Sequence, residues 1–278
     1  MRIFLILFLF HSFLHCQSLD NSNFLIIEGE SPNYYYVLTQ DGYYVSESSE
    51  KFSFKEYSKS IPESLNVDLN TLLPVSHNDK TYLLYPGGGL LYLFADGAIK
   101  RIDRSFPHRN QYGAYFFSHK GSLYLIGGYG YWQTKSIITK FNFNSGDWEI
   151  VNTSGQIPSG IDQGTFFIQN DNLYVFDFLT RNSNNQREKR NDNLYVLNLE
   201  NFVWKKLGVT NNLIRSNASI KGAKRFFKFN EKLLFSYTDT PEFFIADFNE
   251  NSVEKFIDEA LFYKSSGHSI IKKNNLIG

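Results

Sequence analysis

Cysteine is all but missing. Cys16 is the single one, so a chain that starts near Leu19 has none. That excludes a disulfide scaffold and leaves a hydrophobic core to hold the fold together. Charge of one sign is lacking too: Lys and Arg number 28 and Asp and Glu 28, which excludes a general attraction to nucleic acid or to an anionic membrane. Beyond the N-terminal region no apolar run approaches the roughly 20 residues of a membrane-spanning helix. No G-x-S-x-G elbow, P-loop or H-E-x-x-H occurs. Of the histidines after residue 18, namely His77, His108, His119 and His268, no two stand at i, i+2 or i, i+4, so no local metal site is expected and no cofactor is implied.

The first 18 residues carry one charge, Arg2, followed by the apolar run Ile3 to Phe10 and the small-x-small pair Cys16 and Ser18. This predicts a secretory signal peptide over residues 1–18, and hence export to a periplasmic, cell-surface or extracellular location. The bulky His15 stands where lipoprotein processing before Cys16 would need a small residue. Aromatic residues make up 17% of the chain, with 27 Phe and 18 Tyr, a bias that favours strands, where rings pack on a pleated surface.

A period runs through the rest. Gly113, Gly164, Gly222 and Gly267 each stand 9 to 11 residues before a leucine that opens an apolar strand: Leu123, Leu173, Leu233 and Leu276. Polar turns at Ser145-Gly146, Glu200-Asn201 and Glu250-Asn251 keep nearly the same period, 55 and 50 residues apart. Between these landmarks lie four short strands per unit, most visibly from Gly113 to Val151. Units of the same kind start near Phe24, Thr71, Thr165 and Arg225, and a sixth opens after Gly267 and is incomplete at Gly278. Pro74 weakens the first strand of the second unit. The segment Val253 to Tyr263 reads alternatively as a short helix.

The strand ending in Gly127-Gly128, the aromatic strand through Phe141, the polar turn and Trp148 resemble the kelch repeat. Trp204 keeps the tryptophan in the fourth unit, where Phe176-Asp177 replaces the diglycine. The resemblance implies an all-β fold: a β-propeller of four-stranded antiparallel blades, about five of them plus the start of a sixth, spanning residues 19–278. The tryptophans would then pack between blades. Sandwiches and β-solenoids are the rival all-β folds; a period near 50 residues is long for solenoid rungs.

In such a blade, connections after the first and third strands share one face and those after the second and fourth the other. Asp41-Gly42, Asn78-Asp79, Asp96-Gly97, Ser145-Gly146 and Asn170-Asp171 are read as tight turns of the first face. Ser105 to Gln111, Tyr129 to Lys135, Leu179 to Asn193 and Gly208 to Lys221 are read as long loops of the second, where binding is expected. Tyr129, Tyr131, Trp132, His108, Arg109 and Tyr112 fall in these loops; they suit a sugar ring or a peptide, and in a chain this rich in aromatics the rings suit equally a covered blade edge or a filled interface between neighbours. The stretch Arg181 to Asp192 is expected to be a solvated, mobile loop.

Two functions follow. One is an exported, non-catalytic propeller that binds a protein or glycan partner through the long-loop face, as the sensory part of a membrane-anchored receptor if the chain continues. The other is a carbohydrate-active enzyme of mutarotase or lyase type, using His108, Arg109 and Asp103; some kelch-like propellers are enzymes. The copper radical oxidase of that kind needs a Cys linked to a Tyr, which a chain from Leu19 onward lacks.

Overall fold

The computed structural model describes residues 23–29, 34–46, 52–62, 65, 69–86, 89–104, 111–182, 185–191, 193–209, 224–229, 231–237, 242–250, 252–257, 270–272 and 275–277. The signal-peptide region therefore lies outside the described residues.

Strands come in fours. Blade 1 holds β1 (Leu25–Glu28), β2 (Tyr35–Leu38), β3 (Gly42–Ser46) and β4 (Phe52–Glu56). Blade 2 holds β5 (Leu73–His77), β6 (Lys80–Tyr85), β7 (Leu90–Ala95) and β8 (Ala98–Arg101). In blade 3, β9 (Tyr115–His119) and β10 (Ser122–Ile126) are followed by a small hairpin, β11 (Tyr129–Gly130) and β12 (Gln133–Thr134), before β13 (Ile138–Asn142) and β14 (Asp147–Val151). A two-residue strand, β15 (Ser154–Gly155), leads to blade 4: β16 (Thr165–Gln169), β17 (Asn172–Phe176), an inserted hairpin of β18 (Phe178–Asn182) and β19 (Asn185–Asn191), then β20 (Asn193–Asn198) and β21 (Val203–Val209). Blade 5 is β22 (Lys224–Phe229), β23 (Lys232–Tyr237), β24 (Glu242–Asp247) and β25 (Ser252–Ile257), and β26 (Ile270–Lys272) pairs with β27 (Asn275–Ile277) beyond it. Within each blade the strands pair antiparallel in sequence order, so this is a β-propeller. Among the described residues helical conformation is confined to short 3-10 turns, at Leu65 and at Leu69–Thr71.

Period-two alternation explains why blades stack. On β6, Leu83 packs towards blade 1 while Tyr82 and Leu84 pack towards blade 3. On β10, Leu123 and Leu125 face blade 2, and Tyr124 and Ile126 face blade 4. On β17, Leu173 and Val175 face blade 3 and Tyr174 and Phe176 face blade 5. Each second strand is thus apolar on both sides, and the core is a series of slabs between successive blades. A repeated hydrogen bond fixes their spacing: the N–H just past an outer strand donates to the turn between the third and fourth strands of the next blade. Ser58 N reaches Gly97 O at 2.8 Å, Arg104 N reaches Gly146 O at 2.8 Å, and Ser154 N reaches Phe202 O at 3.1 Å. Trp148 ties blade 3 to blade 2, its indole N–H donating to Gly89 O at 2.8 Å, and Trp204 is buried in the slab between blades 3 and 4.

The strand expected around Pro74 is present as β5, the edge strand of its sheet, where a missing donor is tolerated. Several other expectations need correction. Ser252–Ile257 is strand β25, paired residue by residue with β24, and not the start of a helix. Asp41-Gly42 joins β2 to β3, so it belongs with the second-strand connections and that face is not uniformly long-looped. Arg181 to Asp192 is not a bare loop, since β18 and β19 pair as a hairpin. The residue that replaces Gly127 in blade 4 is Asp177, one position later than the diglycine alignment with Phe176-Asp177: Ile126 and Phe176 both close their ladders with the first strand. β15 was not expected; it adds parallel to β21. A Cβ on Gly155, which has φ of +85°, would stand 2.2 Å from Trp204 O, so only glycine allows that approach.

Candidate functional site

The hairpin β11–β12 is two residues per strand, Tyr129 opposite Thr134 and Gly130 opposite Gln133. Its turn residues are Tyr131 and Trp132, with φ of 49° and 66°. A two-residue hairpin needs left-handed backbone at both central positions, a role that suits Asn-Gly. Two bulky aromatics there cost on the order of 1–3 kcal/mol each. Both rings are turned to solvent, Tyr131 at 68% exposure and Trp132 at 80%.

The surroundings hold this tip in place. Gly127 and Gly128, with φ of 74° and 88°, let Ile161 and Gln111 close on the backbone at distances a side chain would forbid. The buried amide of Gln111 donates to Gly127 O and Ile137 O at 3.4 and 3.3 Å and accepts from the Thr139 hydroxyl at 3.0 Å. Next to it Tyr112 exchanges two backbone hydrogen bonds with Tyr129, at 2.9 and 2.8 Å, and leaves its own ring 59% exposed. The Lys135 ammonium stands 5.9 Å from the centre of the Tyr131 ring.

The second inserted hairpin lies alongside. Ile161 and Asp162 run between the two, with Ile161 N donating to Lys135 O and Gly128 N to Ile161 O on one side, and Asp162 and Leu179 exchanging backbone hydrogen bonds on the other. Two hairpins and the segment between them thus form one hydrogen-bonded ledge on the second-strand face of blades 3 and 4. Behind it, the buried carboxylate of Asp177 pairs with the Arg190 guanidinium of β19.

Of the six residues expected to bind, the structure brings Tyr112, Tyr129, Tyr131 and Trp132 together. Tyr129 is half-buried and serves the ladder; the other three are exposed. His108 and Arg109 lie outside the described residues. Asp103 is turned inward: it is buried, accepts from Leu91 N at 2.9 Å and holds Arg101 through two hydrogen bonds of 3.0 and 2.9 Å, which raise the guanidinium pKa. Gln111 and Asp177 were missed. A lone polar residue and an aspartate in a glycine's place follow no pattern, although both are buried organisers.

No protein family matches this chain, and no curated protein sequence does. Among solved structures, that of YjhT superposes with a TM-score of 0.52 at 16% identity, over 68% of this chain and 66% of that one. The likeness is one of fold. The present chain spans just under two thirds of that protein's length, and at this identity nothing about activity carries across.

On the opposite face the described histidines serve the structure. His119 meets Asp171 at 3.1 Å, and Lys120 meets both Asp171 and Glu200; Lys120 first and His119 second draw the Asp171 carboxyl below its ordinary range. His77 is buried, hydrogen-bonded to the Ser118 hydroxyl at 2.8 Å and to the Asn78 amide at 3.2 Å, and stacked on Phe143. Burial lowers its pKa, so the folded protein takes up a proton there less readily than the unfolded chain. Above the ordinary histidine pKa of ~6.5 both states are neutral and nothing is lost; as pH falls below it the unfolded chain gains a proton that the folded one does not. Urea denaturation should therefore show stability falling from about pH 6.5 downward until the folded His77 itself protonates, and His77→Gln should flatten that slope. An equal slope in the variant would remove His77 as its cause.

Proposed function

We propose that this protein is an exported, non-catalytic, kelch-like propeller that binds a glycan or protein partner through the ledge of blades 3 and 4. A propeller as such is compatible with a binding module or an enzyme, because one architecture hosts many activities. The observation that favours binding is the turn Tyr131-Trp132. Two aromatic rings are kept in water by a backbone that disfavours them, beside a third exposed ring on Tyr112. Strain of this kind persists where function maintains it, and rigid aromatics are the side chains that anchor recognition. Their flat faces suit the C–H surface of a sugar or the side chains of an extended peptide.

Trp132 also supplies the assay. The chain has three tryptophans, of which Trp204 is buried and Trp148 partly so. A partner found by glycan array or affinity capture should shift the emission of Trp132 to the blue on titration. Trp132→Ala should weaken that partner at least ~30-fold, as expected for an anchor worth about 2 kcal/mol. A partner whose affinity ignores Trp132, Tyr131 and Tyr112 alike would refute the site. Fractionation of cells expressing the tagged full chain tests export, with retention in the cytoplasm as the adverse result.

A further inference from the structure

A second recess lies on the other face of the propeller and is lined by blades that do not carry the aromatic ledge. It sits between blades 1 and 2 and encloses about 520 Å³, within the range of small-molecule pockets. Its apolar wall is a triad of rings: Tyr36 and Tyr43 from β2 and β3, and Phe94 from β7. Their centres are 5.1 to 5.9 Å apart, and each pair meets edge to face. That mutual packing fixes the rings before any ligand arrives.

The rim is polar and comes from two tight turns. Asn78 and Asp79, with φ of 49° and 58°, cap the turn from β5 to β6; Asp96 and Gly97, with φ of 51° and 67°, cap that from β7 to β8. The Tyr43 hydroxyl fills the space a side chain at position 97 would need, 2.6 Å from where its Cβ would be. The turns hold Asp79, Lys80 and Asp96 at the mouth, and among the described residues none of these three charged groups has a hydrogen-bond or ion-pair partner. Elsewhere on the same face Lys120 is paired with Asp171 and Glu200. The recess thus gathers two free carboxylates, one free ammonium and a primary amide over an aromatic wall.

We infer that this recess binds a neutral saccharide of one or two rings. Hydroxyl groups both donate and accept, so they can satisfy carboxylates and an ammonium at once. An anion would meet Asp79 and Asp96 unshielded. A simple cation would meet Lys80. The C–H face of a sugar ring covers the apolar wall while its edge hydroxyls reach the rim. Binding here is independent of the ledge, which is built on the other face by other blades.

Calorimetric titration of the full chain with a panel of neutral mono- and disaccharides tests the inference, with tetramethylammonium and glucuronate as charged probes. At least one neutral sugar should bind. Asp79→Asn with Asp96→Asn should weaken it tenfold or more without lowering the melting temperature, since both side chains are exposed and asparagine keeps the tolerance for φ of 58° and 51°. Trp132→Ala should leave it unchanged, which separates this site from the proposed function of the ledge. The inference is overturned if no neutral sugar binds, if only a charged probe does, or if affinity follows Trp132 and not the two aspartates. Should the double variant prove unstable, Lys80→Ala gives the same reading from the opposite side of the mouth.

Discussion

Replacing Asp177 with alanine should lower the melting temperature of this protein by about 6–12 °C. The carboxylate is 1% exposed and its partner Arg190 is 19% exposed, so the substitution leaves a largely buried guanidinium without its counter-charge. Breaking such a pair from one side costs about 3–5 kcal/mol; the residual exposure of Arg190 argues for the lower end, about 3 kcal/mol. For a chain of this size each kcal/mol corresponds to roughly 2–4 °C. Alanine also inherits a backbone φ of 50°, which aspartate and asparagine tolerate better than most residues. Asp177→Asn keeps that tolerance and removes only the charge, so its loss should be smaller. Asp177→Asn combined with Arg190→Met should recover part of the loss, because no charge is then left buried. Hydrogen exchange should quicken first in β18 and β19, the strands that Arg190 anchors to the blade. A melting temperature for Asp177→Ala within about 2 °C of the parent would show that the pair does not hold the hairpin.

The same two residues show where sequence reading ends. Blades 3 and 4 are legible because β10 and β17 alternate large apolar residues on both faces and are bounded by two-residue polar turns. Leu123, Leu125, Leu173 and Val175 declare a strand between two neighbours before any coordinates exist. The inserted hairpins carry no such signal. β19 reads Asn-Gln-Arg-Glu-Lys-Arg-Asn, with nothing apolar to alternate; it pairs with β18 along the backbone, and its Arg190 is held by Asp177. β15 is two residues long and exists because Gly155 can lie against the carbonyl of Trp204. The candidate site divides in the same way. Aromatics clustered between strands are visible in the sequence, so Tyr112, Tyr131 and Trp132 could be named as candidates, and the structure leaves all three exposed on one ledge. That Tyr131 and Trp132 occupy the two left-handed positions of a tight turn depends on the ladder that Tyr129 makes with Thr134, and no residue type announces it. Gln111 is the clearest omission. A single glutamine in a loop reads as solvated, yet its amide joins three backbone and side-chain partners at the root of the hairpin.

The turn itself permits the sharpest test of why it is aromatic. Exchanging Tyr131-Trp132 for Asn-Gly places the preferred residues at both left-handed positions and should stabilise the protein by about 1–3 kcal/mol, the strain of the two aromatics less the extra chain entropy that glycine loses on folding. The rings contribute little burial to set against this, being 68% and 80% exposed, and the Lys135 contact with Tyr131 at 5.9 Å is worth less than about 1 kcal/mol at such a site. A melting temperature raised by about 2–12 °C would accompany the loss of two anchors, and binding should weaken by 30-fold or more. Stability and recognition then move in opposite directions, which no purely structural role for the pair produces. If the exchange instead lowers the melting temperature and leaves partner affinity intact, Tyr131 and Trp132 cover the blade and the ledge must recognise its partner by other groups. If both fall together, the turn holds the shape of the ledge, and the strain at these positions serves folding.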